Sequence, residues 1–413
     1  MRASSYVCAV FLLVMSIVVT GIWMPRYLDT KTVKIRATHK EIKQDGRTSD
    51  ERKIVVVDAS VKREPKPEKE ERSEQLAFDD KENTAEDVKY LVVWYSVMSF
   101  LRNRPDAISK DFSPCEYSNC ELSYDKGFAR VADVLIFDGR LTTKRPFIKP
   151  YDQIWIFAAH ESLDFLNRCK RSFDLAALRH LFNWTMTYHS QSDIPLPYGE
   201  IRERPSKNKL RRNFTEIAKE KKITSLIITS NCETQSRRML YLQELYEYAD
   251  IKVLGNCGEK WECGERTIHN ECFDILNHTY GFYLAFENAA CDEYFTEKLF
   301  ENYKYDILFV VRGGCDGQSW TMFPEGSVIS VDDFDSFGEL GNFLESALAS
   351  KEKYAKLLEE KSKFYAVGYA DMYQKALCEI CFRLNHKEKF YKEIPSVIDE
   401  LNSYQKCADP IMN

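Results

Sequence analysis

Apolar positions in this 413-residue chain fall into three regimes. Residues 7–24 (VCAVFLLVMSIVVTGIWM) carry no charge. That length matches the ~17–25 residues needed to cross a thin bilayer, and predicts a transmembrane signal-anchor behind a short cytosolic tail, residues 1–6. A cleaved signal peptide with a small-residue site near Val19-Thr20-Gly21 is the other reading of this run. From Pro25 to about Glu86, Lys, Glu, Asp, Arg and Pro dominate and only Ile54–Val57 is apolar. Such a segment cannot bury enough apolar surface to fold, which predicts a disordered stem over 25–86.

Beyond the stem, strand-length apolar runs alternate with longer amphipathic stretches. The predicted strands are Tyr90–Val97, Val131–Phe137, Ile154–Ala158, Ser225–Thr229, Ile251–Leu254, Tyr283–Phe286, Ile307–Val311 and Val328–Val331; Arg237–Tyr248 and Phe337–Ser350 read as helices. Several of these strands lack polar alternation, as parallel strands covered on both faces do. Alternating β and α units predict an α/β fold. The polar, basic stretch Ile201–Lys222 separates two groups of strands. The expected architecture is two Rossmann-like domains facing a cleft, residues 87–205 and 206–385, with a tail over 386–413. Chemistry is then to be sought just past the carboxyl ends of strands.

Composition changes the picture in two ways. A net charge of −6 and the lack of a basic stripe with interleaved aromatics give no reason to expect a nucleic-acid partner. Of the 13 cysteines, Cys8 lies in the apolar run, leaving an even number downstream and pointing to an oxidising compartment. Three N-x-[ST] sequons, at Asn183, Asn213 and Asn277, agree with a lumenal body. Basic residues oppose it: Arg2 alone precedes the apolar run while Arg26, Lys31, Lys34 and Arg36 follow, which by itself would leave the body in the cytosol. Cysteines and sequons together outweigh this asymmetry.

Four constellations carry candidate chemistry. In Gly281–Asn302 a strand, a polar loop and a helix opening near Thr296 bring together Glu287, Asn288, Tyr294, Glu297 and Lys298. Thr296 is placed to cap that helix, whose first N–H groups favour a diphosphate; Lys298 adds a point charge, and the carboxylates suit sugar or ribose hydroxyls. The plainer reading is a solvated helix start with Asn288 capping a turn. Glu161, just past the predicted strand Ile154–Ala158, is placed for general-base work or for capping the next helix. Ser230-Asn231-Cys232 with Arg237 and Arg238 forms either a phosphate site or a solvated basic helix face. Asn183-Trp184-Thr185-Met186-Thr187-Tyr188 leads to Ser192-Asp193-Ile194 and Pro197-Tyr198-Gly199. No cysteine spacing makes a convincing zinc set, whereas Asp332-Asp333-Phe334-Asp335 is a place to seek a metal-binding Asp-x-Asp, a role that the family resemblance given next argues against.

The string Phe282–Asn288 followed by Asp292–Lys298 resembles the signature F-x-L-x-F-E-N…D-Y-x-T-E-K of the animal α1,3-fucosyltransferases. The Asn183–Gly199 stretch resembles that family's N-W-T-x-x-Y-R-x-D-S-D…P-Y-G. Here His189 replaces Arg, Gln191 replaces Asp, and Leu163 replaces the Pro of E-S-P. Where the family shows Val-Pro-Val-Val-x-Gly, this chain has Asp306–Gly314, with the Pro gone and Arg312 and Cys315 added. The resemblance spans roughly Lys89–Cys381 and implies a GT-B type fold, acceptor in the first domain and GDP-fucose in the second. It implies that Glu161 is the base, that Arg238 (with Arg237 the adjacent alternative) neutralises the diphosphate, and that Glu287, Asn288, Tyr294, Glu297 and Lys298 hold the donor. It further implies that Cys115 and Cys120 tie to Cys378 and Cys381, and that the protein is a type II Golgi membrane enzyme without a tightly bound cofactor, a divalent cation at most stimulating it. The implied reaction is inverting transfer of L-fucose to a GlcNAc hydroxyl in α1,3 linkage, on N-acetyllactosamine or the N-glycan core; a relative that binds glycan or nucleotide without transfer is the alternative.

Overall fold

The structure is a computed structural model that describes residues 89–97, 110–140, 145–169, 178–205, 212–260, 275–314 and 322–408. The expected anchor and stem lie outside the described residues. Among those described, no helix is long and apolar enough to cross a membrane.

Six parallel strands form the first sheet: β1 (Tyr90–Ser96), β2 (Cys120–Ser123), β3 (Val134–Asp138), β4 (Ile154–Ala159), β5 (Trp184–Thr187) and β6 (Ile194–Pro195), in the order β2-β1-β3-β4-β5-β6. Side chains alternate between the two faces of a strand. Accordingly Val92, Trp94, Val134, Ile136, Ile154 and Ile156 share one apolar layer, and Val93, Leu135, Phe137, Trp155 and Phe157 the other. Both layers are covered, which explains why these strands read as unbroken apolar runs.

The chain leaves this sheet through β7 (Glu200–Glu203) and enters a second parallel sheet of β8 (Ile223–Ile228), β9 (Ile251–Leu254), β10 (Tyr280–Phe286), β11 (Leu308–Arg312) and β12 (Ile329–Ser330), ordered β12-β11-β10-β8-β9. It returns through β13 (Phe364–Val367), which pairs antiparallel with β7. The two crossings therefore run side by side. Gly199 is needed where they meet: a Cβ there would stand 2.5 Å from Phe300 Cγ and 2.7 Å from the Val367 carbonyl oxygen. Both sheets reverse direction of growth beside their first strand, between β1 and β3 and between β8 and β10, where ligands of such folds bind.

The helices Phe337–Ala349 and Lys351–Ser362 pack on the second sheet, the first of them within the expected helical stretch Phe337–Ser350. Ser336 caps the first of them, its Oγ accepting the Glu339 N–H at 3.2 Å. The expected boundary at 385 requires correction. The helix Tyr369–Asn385 packs on one face of the first sheet, and Val397–Tyr404 on the opposite face. Packing thus changes sheets at about Gly368, because the apolar stripe of each helix finds its partner surface across the molecule. Trp94 Nε1 donates to Tyr373 Oη at 2.7 Å within that contact. Disulfides Cys115–Cys378 and Cys120–Cys381 staple the same helix to the β1–β2 region. Closing a loop of 263 residues removes about 5 kcal/mol of unfolded-chain entropy; the second staple, enclosed by nearly the same loop, adds mainly orientation.

Two lysines are buried beneath the second sheet. Lys221 Nζ donates to the Leu276 and Asn277 carbonyls at 2.7 Å each, and Lys361 Nζ donates to the Tyr305 carbonyl at 2.5 Å. Burial pulls both pKa values down to about 7, against the partial opposition of Asp306. Between pH 7 and the ordinary lysine pKa, the unfolded chain holds protons that the folded chain has shed, so stability rises with pH through that window. Each lysine contributes up to about 1.4 kcal/mol per pH unit there, and nothing to the slope below both pKa values. Urea midpoints at pH 7 and 9 are expected to rise, with Lys221→Met and Lys361→Met each flattening the rise. An unchanged slope in both variants contradicts this assignment.

Candidate active site

One half of the candidate site is built at the carboxyl ends of β1, β3 and β4. Asp138 ends β3 with a side chain only 1% exposed, and its N–H is held by Ser96 Oγ at 2.8 Å. Its carboxylate grips Arg140 as a fork, Nε at 3.3 Å and Nη2 at 3.1 Å. Arg140 Nη1 then stands 3.7 Å from Glu161 Oε1. Glu161 follows β4, and Ser162 Oγ accepts the Phe165 N–H as the helix Leu163–Cys169 begins. Sequence reasoning placed Glu161 but missed Asp138 and Arg140. The signal was present, since Asp138-Gly139-Arg140 directly follows a predicted strand.

Glu161 is 25% exposed, and its second oxygen accepts a hydrogen bond from Tyr294 Oη at 3.2 Å. This contact joins the two halves. Burial pushes the phenols of Tyr294 and Tyr198 well above their ordinary range, reinforced by the carboxylates of Glu161, Glu287 and Glu297. Both therefore stay protonated and act as donors, Tyr198 to the His160 carbonyl at 2.9 Å. His160 stacks on Tyr198 with ring centroids 4.2 Å apart, and Nε2 meets the Leu196 carbonyl at 2.8 Å. Burial lowers its pKa to about 4, so it is uncharged at neutral pH.

The other half of the candidate site surrounds the end of β10. Glu287 is fully buried, and its carboxylate accepts from Thr296 N at 2.8 Å, from Thr296 Oγ1 at 3.0 Å and from Lys298 Nζ at 2.9 Å. Two expectations change here. Glu287 does not present its carboxylate to a sugar; it holds Thr296 and Lys298, because a buried carboxylate must be paired. Thr296 precedes a single helical turn, Glu297–Phe300, and makes no side-chain cap, its hydroxyl being directed to Glu287. Burial alone would lower the Lys298 pKa, but the neighbouring Glu287 and Glu297 outweigh it and leave it raised. The Lys298 ammonium is thus a fixed positive charge. Glu297 remains 43% exposed, and Asn288 lies half-buried with an Oδ1 that makes no hydrogen bond.

Arg238 is also differently placed. It is 3% exposed, and Nη1 and Nη2 donate to the Phe286 and Asn231 carbonyls at 2.9 and 3.0 Å. Its guanidinium therefore supports the loop ends after β8 and β10 from beneath, while the exposed Arg237 takes a left-handed backbone at the helix start, φ 49°. Arg312, which stands in the altered Asp306–Gly314 stretch, donates to the Ser236 carbonyl at 2.7 Å and lies 4.4 Å from the Tyr241 ring. Ser236 Oγ in turn donates to the Glu287 carbonyl at 2.6 Å.

The remaining sequence candidates separate. His189 is 3% exposed, its Nδ1 accepting the Gln191 N–H at 3.1 Å, and burial lowers its pKa against Glu293 and Asp292. Asn213 is exposed, with Oδ1 at the start of the helix Phe214–Glu220. Asn277 is partly buried, with Oδ1 accepting the Asp306 N–H at 2.8 Å. Asn183 is corrected as a glycan site: it is 0% exposed, its Oδ1 accepts the Trp155 N–H at 2.9 Å, and Nδ2 donates to the Lys392 carbonyl at 2.8 Å. A glycan attached at Nδ2 would displace the Lys392 contact and finds no space at a fully buried side chain. Further disulfides join Cys232–Cys257 and Cys291–Cys407. Among the described residues, no group of three or more His, Cys, Asp or Glu side chains is placed to hold a metal ion. The Asp333 carboxylate instead closes a capping box with Ser330.

Comparison with known proteins bears directly on this arrangement. The family model described as "Fucosyltransferase, N-terminal" matches residues 86–199, and "Glycosyltransferase family 10 (fucosyltransferase) C-term" matches residues 218–400. Alpha-(1,3)-fucosyltransferase C of Drosophila melanogaster is 28% identical over 317 residues, covering 70% of this chain and 71% of that one. Alpha-(1,3)-fucosyltransferase 7 of Homo sapiens is 26% identical over 314 residues, covering 74% and 84%. A crystal structure of an alpha1,3-fucosyltransferase with GDP-fucose superposes with a TM-score of 0.48 at 15% identity, covering 76% of this chain and 96% of that one. Both family models match in chain order, one on each half of the site, and the chain belongs to glycosyltransferase family 10, the fucosyltransferases.

Proposed function

We propose that this fucosyltransferase transfers L-fucose from GDP-fucose, with inversion, to the 3-hydroxyl of a GlcNAc residue on a glycoprotein or glycolipid glycan. The observation that carries this reading is the Tyr294–Glu161 hydrogen bond, which brings the carboxylate after β4 against the loop that ends in the Lys298 cluster. Glu161 removes the acceptor proton as the oxygen attacks C1 of the sugar. Lys298 stabilises charge on the departing diphosphate, with Asn288 and Glu297 offering polar groups to the nucleotide sugar, and Arg238 and Glu287 bracing the loops beneath. The apolar run 7–24 and the paired cysteines support a single-pass type II protein whose catalytic body lies in the Golgi lumen.

The test is GDP release from GDP-fucose by the full-length chain purified in mild detergent, with N-acetyllactosamine, Lewis-precursor and N-glycan-core acceptors. Acceptor-dependent release, with an α1,3 linkage in the product, is expected. Bound GDP-fucose without release across the panel would instead favour a non-transferring relative. The buried Leu163 in place of the family's Pro, two residues after Glu161, is the observation behind that second reading.

A further inference from the structure

The loop Asn288–Tyr294 carries candidate donor residues, yet its fastenings lie largely outside its own sheet. Cys291 pairs with Cys407 both as an antiparallel bridge and as a disulfide. The Asp292 N–H donates to the Lys406 carbonyl at 2.8 Å, and the Ala408 N–H to the Ala290 carbonyl at 2.9 Å. Gln235 closes the arrangement, its Oε1 accepting the Ala290 N–H at 2.7 Å while its Nε2 donates to the Ala408 carbonyl at 2.5 Å. The same C-terminal segment is fixed to the first sheet: Gln405 Nε2 donates to Thr187 Oγ1 at 2.8 Å, and Tyr404 Oη to Thr185 Oγ1 at 3.3 Å. On the loop's other flank Glu293, in a left-handed conformation at φ 54°, accepts from Ser190 N and Oγ at 2.6 and 2.7 Å.

We propose that the C-terminal segment Tyr404–Ala408, locked by Cys291–Cys407, is a positioning strap for the nucleotide-sugar site, holding the loop Asn288–Tyr294 in its donor-binding shape. This rests on the reading that the loop takes GDP-fucose. A non-glycine residue in a left-handed conformation is disfavoured on its own and persists when its surroundings over-determine it. The strap supplies that constraint on one flank of the loop, and Ser190 supplies it on the other. It spares donor binding the entropy of ordering the loop, so it acts on binding and little on the chemical step.

The experiment compares the full-length enzyme with a Cys291→Ser/Cys407→Ser double variant, reading GDP affinity by equilibrium titration and the KM for GDP-fucose against kcat. The expected result is a KM and a GDP Kd raised about tenfold with kcat changed by less than about threefold. A folded double variant with unchanged KM and Kd overturns the proposal. If that variant does not fold, Gln235→Leu decides. It keeps the disulfide but cuts the bridge between loop and strap, and is expected to raise KM by about threefold; unchanged KM there overturns the proposal equally. If the unaltered enzyme binds no GDP, it is the reading of the loop as a donor site that fails, and not the strap alone.

Discussion

Glu161→Gln is expected to lower kcat for acceptor-dependent GDP release by about 10²–10⁴-fold, the usual range for loss of a general base. GDP affinity is expected to stay within about twofold, since nothing on the β10 side is altered. Gln is the informative replacement for a structural reason. Tyr294 is 1% exposed and donates to Glu161, so truncation to Ala would strand a buried hydroxyl at about 1–3 kcal/mol and confuse catalysis with stability. Gln keeps an oxygen for Tyr294 while removing the proton acceptor. If Glu161→Gln retains most of its kcat, the base lies elsewhere and Glu161 is only a partner for Arg140 and Tyr294. A variant that loses GDP binding together with kcat would instead show that Glu161 shapes the donor loop through Tyr294.

Lys298→Met is expected to have the second largest effect, and it reads out in stability as well as in activity. Glu287 is 0% exposed, and Lys298 supplies its ammonium partner at 2.9 Å. Removing one member of a buried pair leaves an uncompensated charge, which costs about 3–5 kcal/mol. GDP affinity is also expected to fall by about 10–100-fold, the worth of one charge-assisted hydrogen bond. The double variant Glu287→Gln/Lys298→Met separates the two effects. With the stranded carboxylate gone, stability is expected to recover most of the loss while GDP affinity does not. Denaturant midpoints and GDP titrations on the three proteins check this. Failure of the double variant to regain stability contradicts the view of Glu287 as an internal counter-ion.

The difference between Glu287 as a sugar ligand and Glu287 as a counter-ion marks the limit of reading motifs along the chain. The motif identified which residues stand close together at the end of β10, and the family assignment made from it holds. It did not say which of them face inward. Glu287, Thr296 and Lys298 lie within eleven positions of one another, and any of the three side chains is chemically suited to a ligand. Only the packing of β10 against β8 and β11 shows that the carboxylate points into the interior. Arg238 and Asn183 were misplaced for the same reason. A guanidinium after a strand suits a phosphate, and a sequon suits a glycan, until burial directs their donors to backbone carbonyls.

Most strands and the α/β class were legible because unbroken apolar runs such as Ile154–Ala159 and Leu308–Arg312 are the local consequence of burial on both faces. That relation between neighbours in sequence needs no knowledge of distant contacts, and it also located Glu161 at a strand's carboxyl end. What the tertiary structure alone decided is long-range. It carried the helix Tyr369–Asn385 back to the first sheet, set Arg140 against Glu161 and Tyr294 against both halves, and brought Cys407 to Cys291. Apolar stripes and polar donors state that a partner is required, but many surfaces and acceptors satisfy that requirement equally well locally. The choice among them is made by the simultaneous packing of two sheets, a constraint that no short stretch of the chain contains.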